Sequence, residues 1–171
     1  MISSIVAADL NGAIGVKNRI PWRLRDDLVR LKKLTLGHTV ILGRKSYDSM
    51  IGYYDVSGRP MPGQTYIVVS RDTDYMPAHD TDRVAHSIDE AMAIAHELGD
   101  EEILVIGGGE IYVIAFDMAN KIYMTRVRAE LEGDTYFPVI EKNDWSLVSK
   151  TENPADEKHA YAFSFQLWER K

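Results

Sequence analysis

Asp27 stands where a carboxylate is costly. From Leu24 onward the stretch Ile20-Pro21-Trp22-Arg23-Leu24-Arg25-Asp26-Asp27-Leu28-Val29-Arg30-Leu31 has helical spacing. Leu24, Leu28, Leu31 and Thr35 share one face, with Leu34 at its edge; Asp26, Arg30 and Lys33 are assigned to the opposite side. Asp27 falls inside the apolar stripe, where a carboxylate costs free energy unless something pairs with it. It either complements the helix dipole as a first-turn acid or accepts hydrogen bonds from a ligand.

Three other stretches suit an anion. Leu42-Gly43-Arg44-Lys45-Ser46 takes a strand into a helix N-terminus carrying two cations and a hydroxyl. Ile106-Gly107-Gly108-Gly109-Glu110-Ile111-Tyr112 follows a buried strand with three glycines, which let backbone approach a ligand closely. Ser70-Arg71 directly follows a strand, and with Arg44 and Lys45 it could clamp a phosphate monoester. Neither the Walker A spacing nor G-x-G-x-x-G is matched. The five histidines, His38, His79, His86, His96 and His159, lack metal-ligand spacing. Asp72, Asp74, Asp80 and Asp82 read as a solvated acidic loop, and Met50, Met61 and Tyr112 as core or pocket wall.

The elements that must position these residues alternate in type. Strands are expected at Ile2–Ala8, Thr39–Leu42, Thr65–Val69, 83–86, 102–106 and Lys121–Val127. Helices are expected after Leu24, over 44–50, from a Ser87–Glu90 capping box, and over 110–115. The segment from Asp9 to Trp22 reads as one long irregular loop, and Ile51 to Gly63 as another. In the tail, residues 160–167 alternate with period two, which suggests antiparallel strands closing a sheet edge. The whole predicts one α/β domain over residues 1–171 whose ligands gather at the carboxyl ends of parallel strands.

Composition narrows the function. The chain has 171 residues, 45 % hydrophobic, with a net charge of −6 from 20 basic and 26 acidic residues. That argues against general nucleic-acid or membrane-surface binding, so an anionic ligand needs a local basic cluster. There is no cysteine, hence no disulfide or thiolate chemistry. No basic leader or membrane-length apolar run is seen, and a soluble cytoplasmic protein is the expectation.

Taken together the motifs resemble those of the dihydrofolate reductases. They are Ala7 in the first strand, Ile14-Gly15 and Asn18, Pro21-Trp22-x-Leu24, Asp27-Leu28 and Gly43-Arg44-x-Ser46. Further on come Arg59-Pro60-Met61-Pro62-Gly63, Ile106-Gly107-Gly108-x-x-Ile111-Tyr112, Thr125, and Glu132-Gly133-Asp134-Thr135-x-Phe137-Pro138. Each is short; their joint order and spacing across nearly the whole chain are specific. The resemblance implies an eight-stranded, mostly parallel sheet with an antiparallel C-terminal edge strand and about four helices. It further implies NADPH-dependent reduction of dihydrofolate by a cytoplasmic monomer that also takes antifolate-like pterins or diaminopyrimidines.

By the same resemblance, Asp27 binds the pterin, assisted by Trp22, Ile20 and Thr125. The substrate would touch Ile5, Val6, Ala7, Leu28, Leu31, Lys32, Met50, Arg59, Met61, Gln64, Ile106 and Tyr112. The cofactor would touch Ala7, Ile14, Gly15, Asn18, Gly43, Arg44, Lys45, Ser46, Ser70, Arg71, His86 and the run from Ile106 through Gly107, Gly108, Gly109, Glu110 and Ile111 to Tyr112. A cis peptide is expected between Gly107 and Gly108, and no metal is implied. Three positions depart from the family pattern. Ile51–Ser57 is longer than the usual link, Leu31 is usually aromatic, and Gln64 stands where an arginine usually grips the folate α-carboxylate. Pyrimidine reductases of the riboflavin pathway share the fold and cofactor. Pro21-Trp22 and Asp27 favour the folate enzyme, and Gln64 is the residue that favours the alternative. A third reading is a non-catalytic module that binds pterin or NADP(H) without turnover.

Overall fold

The computed structural model describes residues 1–171. The chain runs β1 (Ile2–Ala8), β2 (Ala13–Gly15), α1 (Arg25–Thr35), β3 (Thr39–Gly43), α2 (Arg44–Ser57), β4 (Thr65–Val69), β5 (Arg83–Ala85), α3 (Ile88–Glu97), β6 (Ile103–Val105), α4 (Gly109–Phe116), β7 (Lys121–Val127), β8 (Thr135–Tyr136), β9 (Trp145–Asn153) and β10 (Phe163–Arg170). Eight strands form one sheet in the order β5-β4-β3-β6-β1-β7-β10-β9. The six from β5 to β7 are parallel; β10 runs antiparallel to β7 and to β9.

Continuous apolar runs become strands buried on both faces, as parallel sheets require. Val40, Ile41, Leu42, Ile67, Val68, Ile103 and Val105 are fully enclosed. Their alternation sorts them into two cores. Ile41, Ile67 and Val105 pack with Ala91, Ala95 and Ala115 of α3 and α4. Val40, Leu42 and Val68 pack with Tyr47 of α2 and with Tyr66. The parallel strands therefore deliver their carboxyl ends to one rim of the sheet.

Several expectations are corrected. The loop after β1 is not wholly irregular: β2 pairs antiparallel with β8 as a small second sheet. Residues 51–57 are not loop but the last turns of α2, which ends at Gly58 in the left-handed conformation (φ 64°). The antiparallel strands expected to close the sheet edge are present as β10 and, outside it, β9. Ser87 caps α3 by accepting from the Glu90 N–H, but the Glu90 carboxylate reaches one residue further back than a capping box requires, to the His86 N–H. Asp82 is buried rather than solvated. Its carboxylate accepts from Tyr47 Oη at 2.6 Å and from the Tyr66 N–H at 2.9 Å. No helix is long and apolar enough to cross a membrane.

Candidate active site

Asp27 sits in the first turn of α1, and β7 brings Thr125 beneath it. Thr125 pairs in register with Ala7 of β1, so both line the same stretch of cleft. The Thr125 hydroxyl donates to Asp27 Oδ1 at 2.6 Å. Burial raises the pKa of the Asp27 carboxyl, while that hydrogen bond and the nearby Arg30 charge oppose the rise. No arginine or lysine nitrogen lies within 4.0 Å of the carboxylate, so the chain does not neutralise it by an ion pair.

Arg30 is not on the solvent side of α1. It lies one turn from Asp27 on the same face, as i and i+3 must. Its guanidinium donates to the Met124 carbonyl (3.0 Å), Thr125 Oγ1 (3.3 Å) and the Gln166 carbonyl (3.3 Å), and covers the Phe165 ring at 4.5 Å. The start of α1 is also held from afar. The Asp26 N–H donates to Nε2 of buried His159 at 3.1 Å, and Asp156 Oδ1 accepts from His159 Nδ1 at 2.8 Å.

Around this acid the wall is apolar. Trp22 and Leu24 pack with Val127 and Phe163, with Ala7 against them. Trp22 Nε1 is buried and has no protein partner. Tyr112 of α4 donates to the Ile5 carbonyl at 2.6 Å, tying α4 to β1 beside buried Val6. Met50, Met61 and Ile106 line the α2 side. Leu31 is half-buried, while Leu28, Lys32, Arg59 and Gln64 are exposed. The Gln64 main chain is fixed by an N–H bond to the His38 carbonyl at 2.9 Å.

Further along the strand ends come the glycine turn and the basic residues. Gly107-Gly108 is cis, and the Gly43 N–H donates to the Gly107 carbonyl at 2.8 Å. Ser46 Oγ faces these glycines: a Cβ on either Gly107 or Gly108 would sit 3.5 Å from it. The N-caps of α2 and α4 are Gly43 and Gly108, which offer no side-chain acceptor to the first-turn N–H groups. That is a place for phosphate oxygens. Beyond lie Arg44, ion-paired with Asp72 at 3.0 Å, and Arg71, ion-paired with Glu110 at 2.5 Å. His86 Nδ1 is 2.9 Å from the Ser70 carbonyl, and Lys45 is exposed. These groups fit a phosphorylated dinucleotide.

The loop after β1 is anchored by Asp134, which a motif included, and by Asp9, which none did. Asp9 is buried, and its carboxylate accepts from the N–H groups of Asn11, Ala13 and Leu131. Asp134 accepts from the Lys17 N–H, beside Lys17 and Asn18 in left-handed turn conformations. Ile14 and Gly15 lie in β2, and Ile20 is 64 % exposed. Asp9-Leu10-Asn11-Gly12 carried a turn signal, whereas the long-range partners of Arg30 and His159 left none.

The family model described as dihydrofolate reductase matches residues 1–170. The chain belongs to the dihydrofolate reductase family. It is 39 % identical to the dihydrofolate reductase of Bacillus subtilis, over 100 % of this chain and 95 % of that one. It is 37 % identical to the type 3 dihydrofolate reductase of Salmonella typhimurium, over 100 % and 99 % of the two chains. Among solved structures it resembles the Enterococcus faecalis dihydrofolate reductase complexed with NADP(H) and RAB-propyl. There the TM-score is 0.82 and the identity 30 %, covering 100 % of this chain and 96 % of that chain. Membership in the dihydrofolate reductase family accords with the reading that Pro21-Trp22 and Asp27 favoured.

Proposed function

We propose that Asp27, Thr125, Trp22 and Ile20 carry out the NADPH-dependent reduction of 7,8-dihydrofolate to 5,6,7,8-tetrahydrofolate. The observation that carries this reading is a half-buried carboxylate held by one hydroxyl and by no direct ion pair within its own chain. Such a group is satisfied by a ligand with adjacent N–H donors. Asp27 accepts from the pterin N3 and 2-amino groups, and Thr125 fixes the carboxylate plane. NADPH held along the strand ends would supply the hydride equivalent for pterin C6. A water beside Asp27 and Ile20 delivers the proton to N5. The loop from Asp9 to Leu24 closes over the site and excludes bulk water, which favours productive geometry. Arg44, Lys45, Ser70, Arg71 and His86 hold the adenosine 2′-phosphate, and the N-termini of α2 and α4 face the pyrophosphate.

The reaction serves one-carbon metabolism in the cytoplasm, carried out by a monomer. The test is NADPH oxidation with dihydrofolate by wild type and Asp27→Asn. The variant should lose at least about two orders of magnitude in kcat/KM while keeping its circular dichroism spectrum; unchanged turnover removes Asp27 from the mechanism.

Gln64 sets a finer feature. A neutral amide cannot form the charged fork that an arginine offers a carboxylate. The glutamate tail therefore contributes little, with exposed Arg59 and Lys32 partly compensating. A dihydropterin lacking the tail should retain kcat/KM within about tenfold of dihydrofolate. A loss of a thousandfold would refute weak tail recognition.

A further inference from the structure

The mechanism above gives no part to Arg30, a half-buried cation one helical turn from Asp27. Arg30 lies beneath the site, enclosed by Phe165 at 4.5 Å and Tyr123 at 6.0 Å, and bound to the carbonyls of Met124 and Gln166. An arginine whose sole task was to brace α1 against β7 and β10 would need only those carbonyls. It also donates to Thr125 Oγ1, the atom that holds Asp27.

We infer that Arg30 is a positioning residue for the reaction: it locks the Thr125 hydroxyl toward Asp27 and supplies the positive charge that faces that carboxylate. A hydroxyl has one proton and can turn it either way. With a guanidinium N–H directed at its oxygen, Thr125 cannot donate back, so its proton is committed to Asp27. The resulting chain, N–H to hydroxyl to carboxylate, is polarised in one direction, and each bond strengthens the next. The guanidinium is largely removed from water and pinned at both nitrogens, so its charge is weakly screened.

The titratable neighbours are few. Facing Asp27 are Arg30 on its own helix and Tyr112 on α4. Facing Arg30 are Asp27 and Tyr123, whose hydroxyl donates to Glu102. Burial lowers the Arg30 pKa from its ordinary value while Asp27 opposes the change, the counterpart of the push Arg30 exerts on Asp27. Arg30 thus favours the ionised form of Asp27 and aims it at a cationic or N–H-rich heterocycle.

This inference rests on Asp27 being the pterin-binding acid, so it is tested where substrate is not needed. The Asp27 carboxyl is titrated by 13C NMR in the free protein for wild type, Arg30→Met, Arg30→Gln and Arg30→Lys, and kcat/KM for dihydrofolate is followed against pH. In the Met and Gln variants the Asp27 midpoint should rise by about one pH unit. The low-pH limb of kcat/KM should move with it. The Lys variant keeps the charge and should titrate close to wild type. An unchanged midpoint in Met and Gln, with only a lower melting temperature, makes Arg30 an anchor and overturns the inference. Failure of all three variants to fold overturns it as well. Wild-type turnover is the separate control: its absence refutes the proposed reaction, whereas the carboxyl titration judges Arg30 alone.

Discussion

At Asp27, burial works against ionisation while Thr125 and Arg30 work for it, and burial wins, leaving the pKa above 3.8. The folded state therefore binds this proton more tightly than the unfolded state does. Its contribution to stability is fully present below the unfolded value and is lost as pH rises through the folded one. Above the unfolded value, keeping this acid in the folded protein is a stability cost accepted for binding. Asp27→Asn removes that cost while keeping a similar shape, so its melting temperature at pH 7 should exceed that of wild type by a few degrees. The gain should vanish in scans below about pH 4; a variant that melts lower at pH 7 would contradict it. Asp27 was legible because a carboxylate interrupts a helical apolar stripe. Arg30 was misplaced because long charged side chains are normally assigned to water, although an i, i+3 relation to Asp27 puts it on the same face. Asp82 was misread for a similar reason: its partners, Tyr47 and the Tyr66 N–H, arrive from other elements.

Elements with strong periodicity matched expectation closely. The strand expected at residues 121–127 is β7, and the strands expected at 2–8 and 65–69 are β1 and β4. What the chain hides are features fixed by distant partners. β2 and β8 are too short to show a period and exist because they pair with each other. The last turns of α2 looked like loop because Gly52 interrupts them, yet the helix continues to its glycine cap. The start of α1 is the clearest case. Leu24 has no capping side chain, and His159, 133 residues from Asp26, accepts the Asp26 N–H in its place. Nε2 takes the Asp26 N–H while Nδ1 lies 2.8 Å from Asp156 Oδ1, so the ring is held on both sides. His159→Ala leaves a buried gap and an orphaned donor one residue before Asp27. It should destabilise the protein by roughly 2 kcal/mol in urea titrations. Amide exchange at Asp26 and Asp27 should quicken more than in β7. Uniform protection across α1 in the variant would show that His159 does not hold this end.

Across the whole molecule, an acidic chain has to attract an anionic cofactor. The net charge is −6, so the long-range field opposes NADPH and the local cations must overcome it. Two of them, Arg44 and Arg71, are already engaged with Asp72 and Glu110. Both members of the Arg71–Glu110 pair are exposed, at 84 % and 79 %, so water screens the attraction and the pair is weak despite its short distance. A phosphate, with more charge and more acceptor oxygens, should displace Glu110 readily, but the displaced carboxylate remains close by and repels it. Glu110→Gln removes that repulsion and releases Arg71 without altering the α4 backbone. It should tighten NADPH binding by about three- to tenfold at low ionic strength, while NADH, lacking the 2′-phosphate, gains less. Raising salt from about 20 to 200 mM should shrink the difference, because the interactions at stake are solvent-exposed. Calorimetric titration of the two cofactors against both proteins measures this directly. Equal tightening of NADPH and NADH would locate Glu110 beside the pyrophosphate rather than opposing the 2′-phosphate cluster.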